Sequence, residues 1–384
     1  MWMLLAIALP MLAGGALAAW RPKDRTARQN FVVGSACLTA ACALAAVFTL
    51  RGEDPLVLLS MGEKLTIAFQ VDGLSCIFAA LVSVLWPLAS LYAVEYMSRE
   101  GSENRFFVFY LSSFGVTLGI AFSANVLTMY LFYELLTLAT LPLVMHHMDG
   151  KARYAGRVYL TYSMCGAALG FIAMVLMIEH GAWFFQFGGS VTVTASKENT
   201  LRMAYILGFF GFGVKAAVFP GHKWLLRASV APTPVTALLH AVAVVKAGVF
   251  AVARITWYGF GPDLLRGSWC QYLAMGAAVF TIVHASSKAL RTKHLKRRLA
   301  WSTVSNLSYI LFALTLMTPA GMVGGMTHMV YHAFTKITMF CCAGAIIVKS
   351  GREYIYELED FGRAMPVVFA TFQKIVVRRG LSKF

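Results

Sequence analysis

Long apolar runs alternate with short polar connections along the chain, and the runs predict eleven membrane-length helices. They fall at about 2–20, 31–50, 73–97, 106–123, 126–144, 158–178, 203–220, 235–257, 269–287, 299–316 and 321–348. Roughly 18 apolar residues are enough to cross a ~30 Å hydrocarbon core. Lipid offers a backbone polar group no partner outside its own segment, so such runs must be helices. One connection breaks the pattern. In Lys64-Leu-Thr-Ile-Ala-Phe-Gln-Val-Asp72 apolar and polar residues alternate, which predicts a short β-hairpin within 51–72. The expected fold is an all-α, polytopic integral membrane protein of about eleven transmembrane helices.

Basic residues set an expected orientation. No basic residue precedes the first apolar run, whereas Arg21, Lys23, Arg25 and Arg28 follow it, so the run reads as a span and not as a signal peptide. Alternate connections hold 20 Lys and Arg on one side and 6 on the other, Arg254 being counted among the six. Short cytoplasmic loops carry the excess of basic residues. The chain is therefore expected to be a multi-pass protein of the cell inner (plasma) membrane, with Met1 outside and 288–298 in the cytoplasm.

Composition narrows the function classes. With 59% of 384 residues apolar and 13% charged, there is too little polar surface to cover a water-soluble globule. A net charge of +16 would suggest nucleic acid in a soluble domain, but here the basic loops account for it and no nucleic-acid partner is expected. The seven cysteines are scattered without a Cys-x-x-Cys pair, so neither a disulfide framework nor an iron–sulfur ligand set follows. His146 and His147 have no metal-ligand company and read as loop histidines. Gly321-Met-Val-Gly324-Gly325 precedes a span and lacks the Lys-Ser/Thr of a phosphate loop. No cofactor, metal or redox centre is expected in this chain.

The chemistry lies in charges that interrupt the apolar runs. A charge at the bilayer centre costs at least ~2.5–3.5 kcal/mol, so it persists mainly where it is paired or functional. Glu134 lies within 126–144, Lys215 within 203–220 and Lys246 within 235–257, while His328, His332 and Lys336 follow at spacings of four in 321–348. Residues at i, i+4 and i+8 share one stripe of a helix, about 12 Å long. Two imidazoles and an amine on such a stripe suit a proton relay, because histidine titrates near neutrality. The blander alternatives are histidines bonded to neighbouring helices and a static Glu–Lys ion pair. Pro220 predicts a break beside Lys215, with freed carbonyls able to hold water or an ion. His240 and Lys246, six residues apart, stand about 120° apart round an ideal helix, so they are not expected to face one neighbour. Asp72, Glu95 and Glu179 sit near span ends and are assigned no role.

The stretch from Lys215 through Pro220, His222, Trp224, Pro232 and Pro234 to His240-Ala strongly resembles the signature of the antiporter-like subunits. These are the proton-pumping membrane subunits of respiratory complex I, their relatives in membrane-bound hydrogenases, and the large subunits of Mrp-type cation/proton antiporters. Lys296-Arg-Arg-Leu-Ala-Trp-Ser302 through Tyr309, His328-Met-Val-Tyr-His332-Ala-Phe-Thr-Lys336 and Phe132-Tyr-Glu134 resemble further family stretches, and the likeness covers roughly 65–372. The resemblance implies that Glu134 and Lys215 form a gating pair, that Lys246 or His240 carries the next buried charge, and that Lys336 with His328 and His332 forms a central relay. It implies an inverted-repeat bundle: helices 1–3 in 1–105, a first five-helix repeat in 106–257, and an incomplete second repeat in 258–372. After Phe372 the tail 373–384 is basic where the family continues apolar, so truncation before the twelfth helix is expected. The implied function is that of a proton-translocating subunit of a redox-driven translocase such as NADH:quinone oxidoreductase. Its partners would be other membrane subunits, the lipid bilayer and protons. The alternatives are a subunit of an Mrp-type Na+(K+)/H+ antiporter and a truncated, non-conducting remnant.

Overall fold

The computed structural model describes residues 1–62, 64–358 and 361–377, without the side chains of 374–377. From residue 378 on, the expected basic tail lies outside the described residues. The chain is helical nearly throughout. The N-terminal helices are α1 (Trp2–Trp20), α2 (Arg25–Thr49), α3 (Gly73–Met97), α4 (Glu103–Ala121), α5 (Val126–Val144), α6 (Gly150–Glu179) and α7 (Glu198–Gly213). Two short helices follow, α8 (Lys223–Ala228) and α9 (Thr233–Ala237). A π-helical turn at Leu238–Val242 then leads into α10 (Val244–Arg254), and a second, Ile255–Phe260, leads out of it. The remainder is α11 (Pro262–Leu265), α12 (Trp269–Arg291), α13 (Leu295–Thr315), α14 (Pro319–Ser350) and α15 (Pro366–Val377).

Helix starts follow from short polar side chains that satisfy the first free backbone N–H groups. Asp24 accepts from Thr26 and Ala27 at 3.0 and 3.2 Å, Asn125 from Thr128 at 2.8 Å, Asp149 from Ala152 at 2.6 Å and Thr318 from Gly321 at 3.1 Å. The expected hairpin forms: β1 (Leu56–Ser60) pairs antiparallel with β2 (Thr66–Phe69). Asn125 donates to the Thr66 carbonyl at 2.8 Å, which docks the hairpin on the start of α5.

Among the described residues, eight helices are long and apolar enough to cross a membrane. The other three expected spans are occupied by α4, α7 and α13. α4 begins at Glu103 and Arg105, α13 carries Lys296, Arg297 and Arg298 in its first turn, and α7 is only 16 residues long. Large apolar side chains such as Leu138, Val283 and Val323 are more than 60% exposed, as befits surfaces turned to lipid.

Packing places one segment at the centre. Thr233–Phe260, comprising α9, α10 and both π turns, is buried along its whole length. It is enclosed by α3, α4, α5, α7, α13 and α14. Small residues allow the close approach of helices, as in other membrane bundles. A Cβ on Gly211 of α7 would stand 2.5 Å from the Gly170 nitrogen of α6, so only glycine permits that contact.

Candidate functional site

Helix α7 stops at Gly213, well before Pro220, so Lys215 lies on the break itself. Two of the carbonyls freed there are taken by side chains. Tyr133 Oη donates to the Phe212 carbonyl at 2.6 Å and Trp224 Nε1 to the Val214 carbonyl at 2.7 Å. Both donors come from outside the break, and a buried carbonyl left unmade would cost about 1–3 kcal/mol. Ala217 takes up the reversal with a left-handed φ of 58°.

Lys215 is 1% exposed, and its Nζ lies 3.8 Å from Oε1 of Glu134 on α5. The amine also donates to the Tyr133 carbonyl and stands 3.4 Å above the Tyr133 ring centroid. Among the described residues no hydrogen bond reaches Glu134 Oε1, so the lysine is its polar neighbour. The central helix touches this break at Gly248, where a Cβ would meet the Ala216 nitrogen at 2.4 Å.

Two residues before Gly248, the fully buried Lys246 directs its Nζ to Nδ1 of His332 on α14 at 2.5 Å. His332 and His328 stack with ring centroids 6.2 Å apart, and His328 Nε2 lies 3.2 Å from Asn306 Oδ1. Lys336 Nζ donates to the Leu299 carbonyl at 3.1 Å and to the Ser302 hydroxyl. His240 packs its ring 4.8 Å from Phe340, and neither of its nitrogens has a hydrogen-bond partner among the described residues. His332 and Phe340 share the α14 stripe that also holds Lys336. His240 and Lys246 therefore both face α14, against the 120° expectation. The cause is the π turn at Leu238–Val242 and the non-helical Ala243 (φ −92°, ψ −85°), which interrupt the 3.6-residue period between them.

The structure thus gathers the residues singled out in the sequence into two adjoining groups. Glu134 and Lys215 form one; Lys246, His332, His328 and Lys336 form the other, with His240 beside it. Sequence reasoning assigned no role to the polar residues that support them, Tyr133, Trp224, Asn306 and Ser302, although all four lie within the stretches quoted above.

It also misplaced Arg254 and missed the pairing of Asp72, which does stand at a span end as expected. Arg254 is not in an outer loop; it is 1% exposed at the end of α10, paired with Asp72 and donating to the Ser75 hydroxyl at 2.7 Å. Phe250, Tyr258 and Phe185 surround its guanidinium at 5.1, 4.8 and 5.3 Å. The signal was present, because Arg254 falls within the expected span 235–257 and Asp72 abuts another. His146 lies in the turn between α5 and α6, where it is 4% exposed with Nε2 2.9 Å from the Gly101 carbonyl.

Known proteins resemble this chain in sequence and fold. The family described as "NADH:quinone oxidoreductase/Mrp antiporter, TM" matches residues 123–378, and "NADH-Ubiquinone oxidoreductase (complex I), chain 5 N-terminus" matches 59–107. The A subunit of a Na(+)/H(+) antiporter of Alkalihalophilus pseudofirmus is 33% identical over 329 residues, which is 81% of this chain and 40% of that protein. Hydrogenase-4 component B of Escherichia coli is 30% identical over 78% of this chain and 46% of its own length. The chain thus spans less than half the length of these relatives. A chain of the archaeal membrane-bound sulfane sulfur reductase, a respiratory membrane complex, shares the fold with a TM-score of 0.83 at 23% identity, over 98% of this chain and 77% of that one. A chain of the Mrp complex from Dietzia sp. DQ12-45-1b does so with a TM-score of 0.79 at 22% identity, over 91% and 38%. The match over two thirds of the sequence identifies the chain as a member of the NADH:quinone oxidoreductase/Mrp antiporter transmembrane family, an antiporter-like membrane protein.

Proposed function

We propose that this chain carries protons across a membrane along Glu134, Lys215, Lys246, His332, His328 and Lys336, with His240 beside the path, as one component of a larger membrane complex. The supporting observation is the 2.5 Å contact between Lys246 and His332, both fully buried. An amine and an imidazole that close can share one proton between two bases, and histidine is a residue that shuttles protons near neutrality. Water bridging Lys215 to Lys246 would complete the file. In the three-part division 1–105, 106–257 and 258–372, this contact is where the proton leaves the first repeat for the second.

His332→Gln keeps a hydrogen-bonding side chain but cannot titrate. In vesicles carrying the complete assembly, proton flux measured with a pH-sensitive dye is expected to fall about 10²–10⁴-fold. Flux unchanged by His332→Gln would reduce the contact to packing.

A redox reaction on other subunits is the first candidate for the driving force. The second is exchange for Na+ or K+. It is favoured by the 33% identity to the Na(+)/H(+) antiporter protein and by 29% identity to the A/B subunit of a probable K(+)/H(+) antiporter of Rhizobium meliloti. Flux that answers a sodium or potassium jump without electron donor selects the second. Flux that requires donor and acceptor selects the first.

The crossings are proposed to be eleven, in the inner membrane, with Met1 outside. Reporter domains fused after Lys293 and after Ser196 should then be active on opposite sides. Activity of both on one side would break the span assignment.

A further inference from the structure

A second run of polar groups lies at the end of the bundle where α3 finishes and α9 begins, the end proposed to be cytoplasmic. Tyr92 and Tyr96 stand one turn apart on α3, with ring centroids 5.7 Å apart. Tyr96 Oη accepts from the Thr233 hydroxyl of α9 at 3.3 Å. Tyr92 Oη is buried and has no hydrogen-bond partner among the described residues. A Cβ on Gly344 of α14 would strike both the Tyr92 hydroxyl and the Thr233 side chain, so these two groups stand side by side.

The run has a mouth and an inner end. At the mouth Tyr96 is the last residue but one of α3, and the carboxylates of Glu100 and Glu353 are its charged neighbours. Their side chains are 28% and 53% exposed, so water reaches them. At the inner end is His240. Its ring packs on Phe340, one turn of α14 before Gly344, which sets it about 6 Å deeper in the bundle than Tyr92. Both of its nitrogens are buried without a partner among the described residues, and Lys336 is its charged neighbour.

A buried hydroxyl or imidazole nitrogen without a partner is costly, and here three such atoms lie along one line. One water between Tyr92 and His240 would bond to both. A hydroxyl is donor and acceptor at once, so along such a row each oxygen takes one proton as it gives up another and none stays ionised. An imidazole likewise receives at one nitrogen and releases from the other. We propose that Tyr96, Thr233 and Tyr92 form an inlet through which protons from the face bearing Glu100 and Glu353 reach His240, which passes them to Lys336. The inlet rests on the proton path proposed above and makes His240, there beside the path, its point of entry.

Dye-detected proton flux in vesicles carrying the complete assembly, read beside thermal stability, tests this. Tyr92→Phe removes a hydroxyl that has no partner, so stability should hold or rise. Flux should nevertheless fall about tenfold, the worth of one hydrogen bond in the transfer. Thr233→Val, which keeps the shape of the side chain, should lower flux similarly, and Thr233→Ser should keep it. This pair decides alone if Tyr92→Phe does not fold. Ser83→Ala, which deletes another buried, unpartnered hydroxyl of α3, should change neither reading. Parental flux in Tyr92→Phe, with His332→Gln inactive, would overturn the inlet and leave the file standing. So would a Thr233→Val protein as active as Thr233→Ser, or an equal loss of flux in Ser83→Ala. Parental flux in both Tyr92→Phe and His332→Gln would overturn the file and the inlet together.

Discussion

Lys215→Ala is expected to abolish proton flux through the assembled complex and to destabilise the chain by about 3–5 kcal/mol, the usual result of removing one partner of a buried ion pair. The lysine is 1% exposed and the Glu134 side chain 24%, and the facing Glu134 Oε1 has no hydrogen bond among the described residues, so that oxygen would lose its charged neighbour. A static pair and a proton carrier both predict this loss of stability. They part at the double substitution Glu134→Ala, Lys215→Ala, in which neither charge remains buried alone. If the pair merely holds α5 to the break, stability and flux both return. For a carrier, thermal stability in detergent recovers while dye-detected flux stays about 10²–10⁴-fold down. Recovery of flux in the double variant would remove the pair from the proton path.

Asp72→Ala should lower stability by a similar amount, about 3–5 kcal/mol, because it strands the Arg254 guanidinium within the bundle. Asp72 also accepts from the Ser75 backbone at 2.8 Å at the start of α3, and loss of such a cap adds about 1 kcal/mol. Replacing both partners, Asp72→Asn with Arg254→Met, should recover much of the deficit. The same pair sets an acid limit. Burial alone would raise the Asp72 carboxyl, but the Arg254 charge and the hydrogen bonds from Arg254 and Ser75 outweigh it and hold the pKa below the usual aspartate value. Its contribution is therefore present above the unfolded aspartate pKa and lost as pH falls through the lowered folded one. Thermal unfolding followed against pH should show an acid destabilisation that is absent from the double variant. An Asp72→Ala protein as stable as its parent would show that the pair contributes nothing.

What the sequence disclosed depended on distance along the chain. Glu134, Lys215 and Lys246 stand out because each interrupts an apolar run, and the stripe at 328, 332 and 336 because its period is local. The end of α7 was not legible, since its carbonyls are taken by Tyr133, 79 residues away on another helix, and by Trp224 from beyond the break. The joint approach of His240 and Lys246 to α14 depends on a π turn, and no residue in Leu238–Val242 advertises one. Arg254 escaped notice because its partner is 182 positions earlier. The eleven apolar runs could be counted directly. Which of them suffice alone could not, because α4 and α13 carry charges at their ends and α7 is short.

The burial of Thr233–Phe260 has a consequence for biogenesis. In the finished bundle the segment is enclosed by neighbouring helices, yet two of those neighbours, α13 and α14, are synthesised after it. A mean hydropathy of 2.0 over 18 of its residues lets it wait in lipid until they arrive. Its charges do not wait equally. Arg254 meets an Asp72 made long before it, and can be neutralised as soon as it enters the membrane. The His332 that Lys246 contacts leaves the ribosome 86 residues later. The order of translation therefore secures one end of the central helix first, and leaves the end that bears Lys246 to be closed by the arrival of α14.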